Sequence, residues 1–142
     1  FASDGSPATA AVMEAITGAE VVVIAPSNPF VSIAPIRSLA GVDEALAARR
    51  ESVVAISPIV GGAALKGPAA RMAVELGHAS DVASVAAVYA EVAASLVIDP
   101  VDAGQVDAVA AAGMRSVVVP SVMSAPAVAA RLAEATLAAA RG

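Results

Sequence analysis

Four segments of this sequence, each placed directly after a predicted strand, carry the side chains best suited to chemistry. All four are rich in proline, glycine, serine, asparagine or aspartate, and they occupy positions 26–29, 57–62, 99–102 and 120–121. Parallel strands end at a common edge, and ligands of open α/β sheets bind outside the carboxyl ends of the strands. The sequence therefore predicts that the four segments converge on one ligand-binding edge.

The first segment, continued to position 36, combines a stiff backbone with polar side chains. Its prolines fix the backbone, and Ser27, Asn28 and Ser32 offer hydrogen-bond groups to a phosphate, a sugar or a base edge. By themselves, these residues favour a simpler interpretation, in which a rigid turn has Asn28 and the serines bonded only to the local backbone.

The second segment continues past Gly61 and Gly62 to Lys66, just before a predicted helix. Free N–H groups at a helix start, with an ammonium nearby, form an anion site. The spacing matches neither a Walker P-loop nor the G-x-G-x-x-G dinucleotide motif. Since Arg37, Lys66 and Arg71 are the basic residues expected near these loops, a plain glycine turn with Lys66 in solvent is an equal alternative.

The other candidate residues have structural interpretations. Asp99 and Asp102 could bind a metal, but Asp102 fits better as a helix N-cap. His78 is the only histidine and follows a helix-ending glycine, so catalytic triads and multi-histidine zinc sites are disfavoured. Tyr89 and Met123 are expected in the core.

Predicted strands and helices alternate along the chain and would position these segments. The strands are short apolar runs typical of a parallel sheet buried on both faces, at 21–25, 52–56, 95–98 and 116–119. Capping and breaking residues place the helices at 9–16, 42–50, 68–76, 81–92, 102–112 and 126–140. Arg49 and Arg50, in the last turn of the second helix, complement its dipole. The pattern predicts an α/β fold with a mostly parallel sheet, and its low strand count indicates a partial domain.

Composition excludes several classes of function. The chain has no cysteine, a net charge of −5 and 2% aromatic residues, which disfavours thiolate chemistry, nucleic-acid binding and base-stacking platforms. No apolar run approaches the ~20 residues needed to cross a bilayer, and the first residues do not resemble a signal peptide. A cytoplasmic location without a membrane partner is expected.

Two motifs carry a resemblance to a known family. Residues 23–36 resemble the PSNPxxSIGPI signature of the CofD/FbiA transferases of coenzyme F-420 biosynthesis, and residues 56–68 are similar to their SPIIGGxxLKGP segment. The likeness covers most of residues 20–125. It implies a Rossmann-like, three-layer fold, of which residues 1–142 would form the carboxyl-terminal portion.

The resemblance also implies an activity. Such enzymes move a 2-phospholactyl or phosphoenolpyruvyl group from a guanosine-diphosphate-activated donor to the deazaflavin alcohol Fo, with release of GMP and with magnesium at the diphosphate. By motif position, the substrate- and nucleotide-binding residues implied here are Ser27, Asn28, Pro29, Ser32, Gly61, Gly62 and Lys66. A homodimer is a further expectation.

The sequence departs from the family pattern in three respects. Ala34 replaces a usual glycine, and Arg37 stands where an aliphatic residue is common. The family's amino-terminal glycine-rich loop and metal-binding aspartates have no counterpart here. The magnesium ligands are therefore expected outside this chain, which by itself would be inactive. A nucleotide-sugar-binding regulator of the YvcK type and a non-catalytic assembly module are the alternatives.

Overall fold

The computed structural model describes residues 6–64 and 81–141. The strands are β1 (Val22–Ile24), β2 (Val53–Ile56), β3 (Ile59–Val60), β4 (Ala63–Ala64), β5 (Ser95–Ile98) and β6 (Arg115–Val118). The helices are α1 (Ala10–Gly18), α2 (Ala34–Arg37), α3 (Val42–Ala48), α4 (Val82–Tyr89), α5 (Val106–Ala111) and α6 (Pro126–Ala139). In the part described, β1, β2, β5 and β6 form a parallel sheet in that order, and β3 and β4 form an antiparallel hairpin.

The central strands β2 and β5 are buried on both faces, which explains their continuous apolar sequences. On one face, the cluster that contains Val53 and Leu96 packs with residues of α3, α4 and α5, and α1 lies against it. On the other face, Val54 and Val97 pack with Leu132 of α6. Helices thus cover both faces, and the predicted Rossmann-like α/β class is confirmed.

Local signals placed several elements correctly. Thr9 caps α1 by accepting a bond from the Val12 N–H at 3.4 Å, and Asp81 caps α4 by accepting one from the Ser84 N–H at 2.8 Å. By contrast, α4 ends at Tyr89 rather than near residue 92, and the predicted loop after β1 is helical. The predicted helix at 68–76, with Lys66, Arg71 and His78, lies outside the described residues.

Arg49 and Arg50 do not complement the dipole of α3, which ends before them. Arg49 donates to the carbonyl oxygens of Ile16 and Ala19 at the end of α1. Arg50 donates to the carbonyl oxygens of Ala90 and Gly113, at 2.7 and 2.5 Å, just after α4 and α5. Carbonyl groups at helix ends lack partners within the helix, so the two arginines stabilise the ends of three other helices.

The aromatic and methionine predictions have opposite outcomes. Tyr89 is fully buried in the core, as predicted. Met123 is 57% exposed in the segment after β6, so its predicted core position is wrong. The segment 119–125 forms no helix or strand. The Met123 side chain is therefore not part of a regular element that packs on the sheet.

Tyr89 provides a prediction about alkaline stability. Burial raises the pKa of Tyr89 to about 12, opposed by the positive charge of Arg37, and the hydroxyl has no hydrogen-bond partner among the described residues. Because the folded pKa exceeds the ordinary value of about 10, the protonated phenol favours the folded state below pH ~10, and this contribution is lost as the pH rises through ~12. We expect Tyr89→Phe to be at least as stable as the wild type at neutral pH, because it removes a buried hydroxyl without a partner among the described residues. Between pH ~10 and ~12 it should also avoid a loss of about 2–3 kcal/mol in the free energy of unfolding.

Denaturant unfolding at a series of pH values measures this difference. Tyr89 is the only tyrosine of this chain, so the ultraviolet absorbance of the phenolate in this chain reports its ionisation directly. An equal alkaline loss of stability in both proteins would contradict the prediction.

Candidate functional site

The carboxyl ends of the parallel strands bring the predicted segments together. The Ser57 N–H donates to the carbonyl oxygen of Val97 at 2.9 Å, and the Val119 N–H donates to that of Ile98 at 3.1 Å. These bonds continue the sheet past its strands and align the segments after β2, β5 and β6. The segment at 26–36 begins at the same edge, because β1 pairs in parallel with β2.

The segment after β1 forms a helical turn, where the sequence predicted a loop stiffened by prolines. Pro29 starts a π-helical turn, Pro29–Ile33, that leads directly into α2. Asn28 caps it, since its Oδ1 accepts bonds from the N–H groups of Phe30 at 2.9 Å and Val31 at 3.3 Å. The Asn28 oxygen thus bonds the local backbone. An Asn-Pro pair at the N-cap and first helical positions is the signal that identifies this start.

The other predicted residues of this segment differ in exposure. Pro29 is buried, Ser27 is half-buried and Ser32 is exposed. Ala34, which replaces a family glycine, has a φ of −57°, an ordinary right-handed helical value. The backbone at position 34 therefore does not require glycine.

The segment after β2 is a tight hairpin. Ser57 is buried, and its hydroxyl bonds both the N–H and the carbonyl oxygen of Ile59 at 3.1 Å. Gly61 and Gly62 connect β3 to β4 with φ values of 61° and 76°. A two-residue type I′ hairpin turn needs positive φ at both central residues, so the glycine pair has a conformational reason. Lys66 lies outside the described residues.

Asp102 bonds this hairpin and does not cap a helix. It is 4% exposed, and its two carboxylate oxygens accept bonds from the Gly61 N–H at 3.0 and 3.1 Å. The Gln105 amide also donates to Asp102, at 3.4 Å. The predicted cap at Asp102 is wrong because a 3₁₀-helix, Pro100–Gln105, begins earlier, where Asp99 caps it by accepting from the Val101 N–H at 3.2 Å.

Asp99 also connects two of the segments. Its second carboxylate oxygen accepts bonds from the N–H of Ser121 at 2.9 Å and from the Ser121 hydroxyl at 3.4 Å. The two aspartates of the segment 99–102 therefore extend to opposite neighbours. Asp99 bonds the segment after β6, and Asp102 bonds the segment after β2.

Asp99 and Asp102 both accept bonds from backbone N–H groups. Across residues 6–64 and 81–141, no group of three or more acidic or histidine residues is placed to hold a metal. The expectation that the magnesium ligands lie outside this chain stays a prediction.

Arg37 does not serve as a cation for this edge. Its guanidinium makes a two-pronged ion pair with Asp43 at 2.8 and 2.9 Å, and it donates to the Val88 carbonyl oxygen at 2.8 Å. It also lies over the Tyr89 ring, 5.8 Å from the ring centre. Arg37, which departs from the family pattern, thus joins α2, α3 and α4.

The described helices also bear on membrane association. None of those within residues 6–64 and 81–141 combines the length and the apolar character required to cross a bilayer.

Comparison with known proteins identifies close relatives. A family model described as 2-phospho-L-lactate transferase CofD matches residues 1–133. The 2-phospho-L-lactate transferase of Methanospirillum hungatei is 41% identical over 89% of this chain and 39% of its own length. The phosphoenolpyruvate transferase of Streptomyces griseus is 43% identical over 80% of this chain and 36% of its own length. A 2-phospho-L-lactate transferase of Methanocaldococcus jannaschii is 43% identical over 63% of this chain and 28% of its own length. The chain thus spans well under half the length of these relatives.

Proposed function

This chain belongs to the CofD family, and we propose that it contributes the carboxyl-terminal part of a transferase of coenzyme F-420 biosynthesis. The proposed enzyme moves a 2-phospholactyl or phosphoenolpyruvyl group from a guanosine-diphosphate-activated donor to the deazaflavin alcohol Fo, releasing GMP. Relatives named for each donor are about equally similar to this chain, so the identities support the reaction type and leave the donor to experiment. Magnesium bound through residues outside this chain, a homodimer and a cytoplasmic location complete the proposal.

One observation carries this proposal. The two segments that resemble the family motifs directly follow β1 and β2, which are adjacent and parallel. Both segments therefore begin at the carboxyl edge, where ligands of such sheets bind. Neighbouring strands lie roughly 5 Å apart, so a nucleotide diphosphate at this edge would contact both segments.

The chemistry of the proposed reaction needs little covalent participation by the protein. The Fo hydroxyl oxygen forms a bond to the phosphorus of the donor, the bond from that phosphorus to the bridging oxygen of the diphosphate breaks, and GMP leaves with that oxygen. The hydroxyl proton passes to solvent or to a base. Rigid positioning and charge stabilisation are the contributions that speed such a transfer.

Individual roles follow from position within the two segments. We assign Ser27, Asn28, Pro29 and Ser32 to the donor side, where Pro29 and the Asn28 cap make the turn rigid. We assign Gly62 and Lys66 to the phosphate or acceptor side. Gly61 contributes the turn conformation, since its N–H already donates to Asp102.

The test is product analysis with each donor. The full-length protein is incubated with Fo, magnesium and either the phospholactate- or the phosphoenolpyruvate-bearing guanosine diphosphate donor, and the products are measured by mass spectrometry. We expect the mass of Fo to increase by the transferred group with at least one donor, with equimolar GMP. Absence of both products would contradict the function. Binding of a nucleotide sugar without transfer would support the regulatory alternative.

A further inference from the structure

The hairpin formed by β3 and β4 makes a long-range contact at its tip. Each of its strands has two residues, and an isolated two-stranded hairpin is marginally stable at best. The Gly61 N–H, at the tip of the turn, donates to both carboxylate oxygens of Asp102, 41 residues further along the chain. This bond fixes the tip of the hairpin against the segment after β5.

The contact is rigid because Asp102 is buried. A carboxylate removed from water requires hydrogen-bond donors to offset its lost hydration, so Asp102 cannot leave the Gly61 N–H without cost. Bonds to ionised acceptors are also about twice as strong as neutral ones.

We propose that Asp102 is a positioning residue that holds the Gly61–Gly62 turn in place for group transfer. The inference rests on the proposed function, which places this turn beside the phosphate or the acceptor. The side chain acts through the Gly61 N–H and does not contact the reacting atoms. Since a misplacement of ~1 Å in a site can slow a reaction about 10²-fold, loss of the contact is expected to lower kcat more than it raises KM.

Two substitutions at Asp102 test its acceptor oxygens separately from its size and its charge. Asp102→Leu keeps the approximate size and removes both acceptor oxygens. Asp102→Asn keeps one acceptor oxygen for the Gly61 N–H and loses the charge. Glu134→Gln is the control for loss of a negative charge, because Glu134 is exposed on α6, outside the proposed site.

The experiment measures kcat and KM for transfer to Fo in the full-length protein, together with hydrogen exchange at the Gly61 amide. We expect Asp102→Leu to lower kcat about 10²-fold and to speed exchange at Gly61, with KM changed much less. Asp102→Asn should recover roughly tenfold of that loss, and Glu134→Gln should match the wild type.

Each outcome decides the proposal. Wild-type kcat in a folded Asp102→Leu protein overturns it, and so does a lower kcat without faster exchange at Gly61, which would indicate direct action on the substrate. If Asp102→Leu does not fold, the Asp102→Asn variant tests the proposal instead. Slower transfer together with faster exchange at the Gly61 amide supports the positioning role. Only one of these two changes, or neither of them, overturns it. A wild-type protein that forms no product contradicts the proposed function itself, whereas turnover unaffected by the Asp102 variants contradicts only the positioning role.

Discussion

Asn28→Ala in the full-length protein is expected to weaken binding of the guanosine-diphosphate-activated donor about tenfold or more. Alanine removes the oxygen that accepts the N–H groups of Phe30 and Val31. Loss of such a cap costs about 1 kcal/mol of stability and loosens the turn. Loss of the proposed contact between the Asn28 side chain and the donor lowers the donor affinity further. Calorimetry with the donor and with free GMP measures the affinity.

Two variants at the same position separate the cap from ligand contact. Asn28→Ser keeps a capping oxygen without a charge, so its affinity should lie between those of Asn28→Ala and the wild type. Asn28→Asp also keeps the cap, but its negative charge would face an anionic donor, and binding should weaken at least as much as in Asn28→Ala.

A cap outside the proposed site provides the matched control. Thr9→Ala removes the side chain that caps α1, so it should lower stability by a similar amount and leave donor affinity unchanged. If Asn28→Ala bound the donor as tightly as the wild type, Asn28 would have no role in binding. If Thr9→Ala weakened binding equally, the effect would reflect general destabilisation.

Arg37→Met is expected to lower the free energy of unfolding by about 2–3 kcal/mol at neutral pH. The substitution removes the bond to the Val88 carbonyl oxygen, the ion pair with Asp43 and the contact with the Tyr89 ring. The Arg37 side chain is 16% exposed, whereas that of Asp43 is 44% exposed, so the ion pair itself contributes modestly. Most of the loss comes from the Val88 carbonyl at the end of α4 and from the aromatic contact.

Charge alone should not replace Arg37. Lysine cannot make the two-pronged contact with Asp43 while also bonding Val88, so Arg37→Lys should be destabilised nearly as much as Arg37→Met. Arg131→Met is the control, since Arg131 is exposed on α6 and should change stability by less than about 0.5 kcal/mol. Urea unfolding measures all three variants. Full stability in Arg37→Lys would show that a positive charge at this position is sufficient.

Much of the fold could be predicted from local sequence. The apolar runs at β2 and β5 are buried on both faces, so their composition reports their position directly. Caps such as Thr9 and Asp81 act within three residues, and a local pattern therefore identifies them. The prediction failed at the segment after β1, because its prolines suggested a rigid loop, although Pro29 occupies the first position of a helical turn.

The candidate site was less predictable, because its contacts connect distant parts of the chain. Asp99 and Asp102 are similar in sequence terms, since both follow the same strand and precede the same helix. The structure distinguishes them: Asp99 caps the 3₁₀-helix, and Asp102 bonds Gly61. The contacts of Arg37 were equally hard to predict, because its partners Val88 and Tyr89 are about 50 residues away in the sequence.

The sequence by itself determined the positions of the four strands of the parallel sheet, the segments at their carboxyl ends and, through two motifs, the family. These features depend on neighbouring residues and on periodicity, which a single chain displays directly. Only the tertiary structure decided which carboxylate caps a helix and which one holds the hairpin at Gly61. The reason is physical: β2 and β5 must become neighbours before the Asp102 oxygens can reach the Gly61 N–H, and no local pattern encodes that distance.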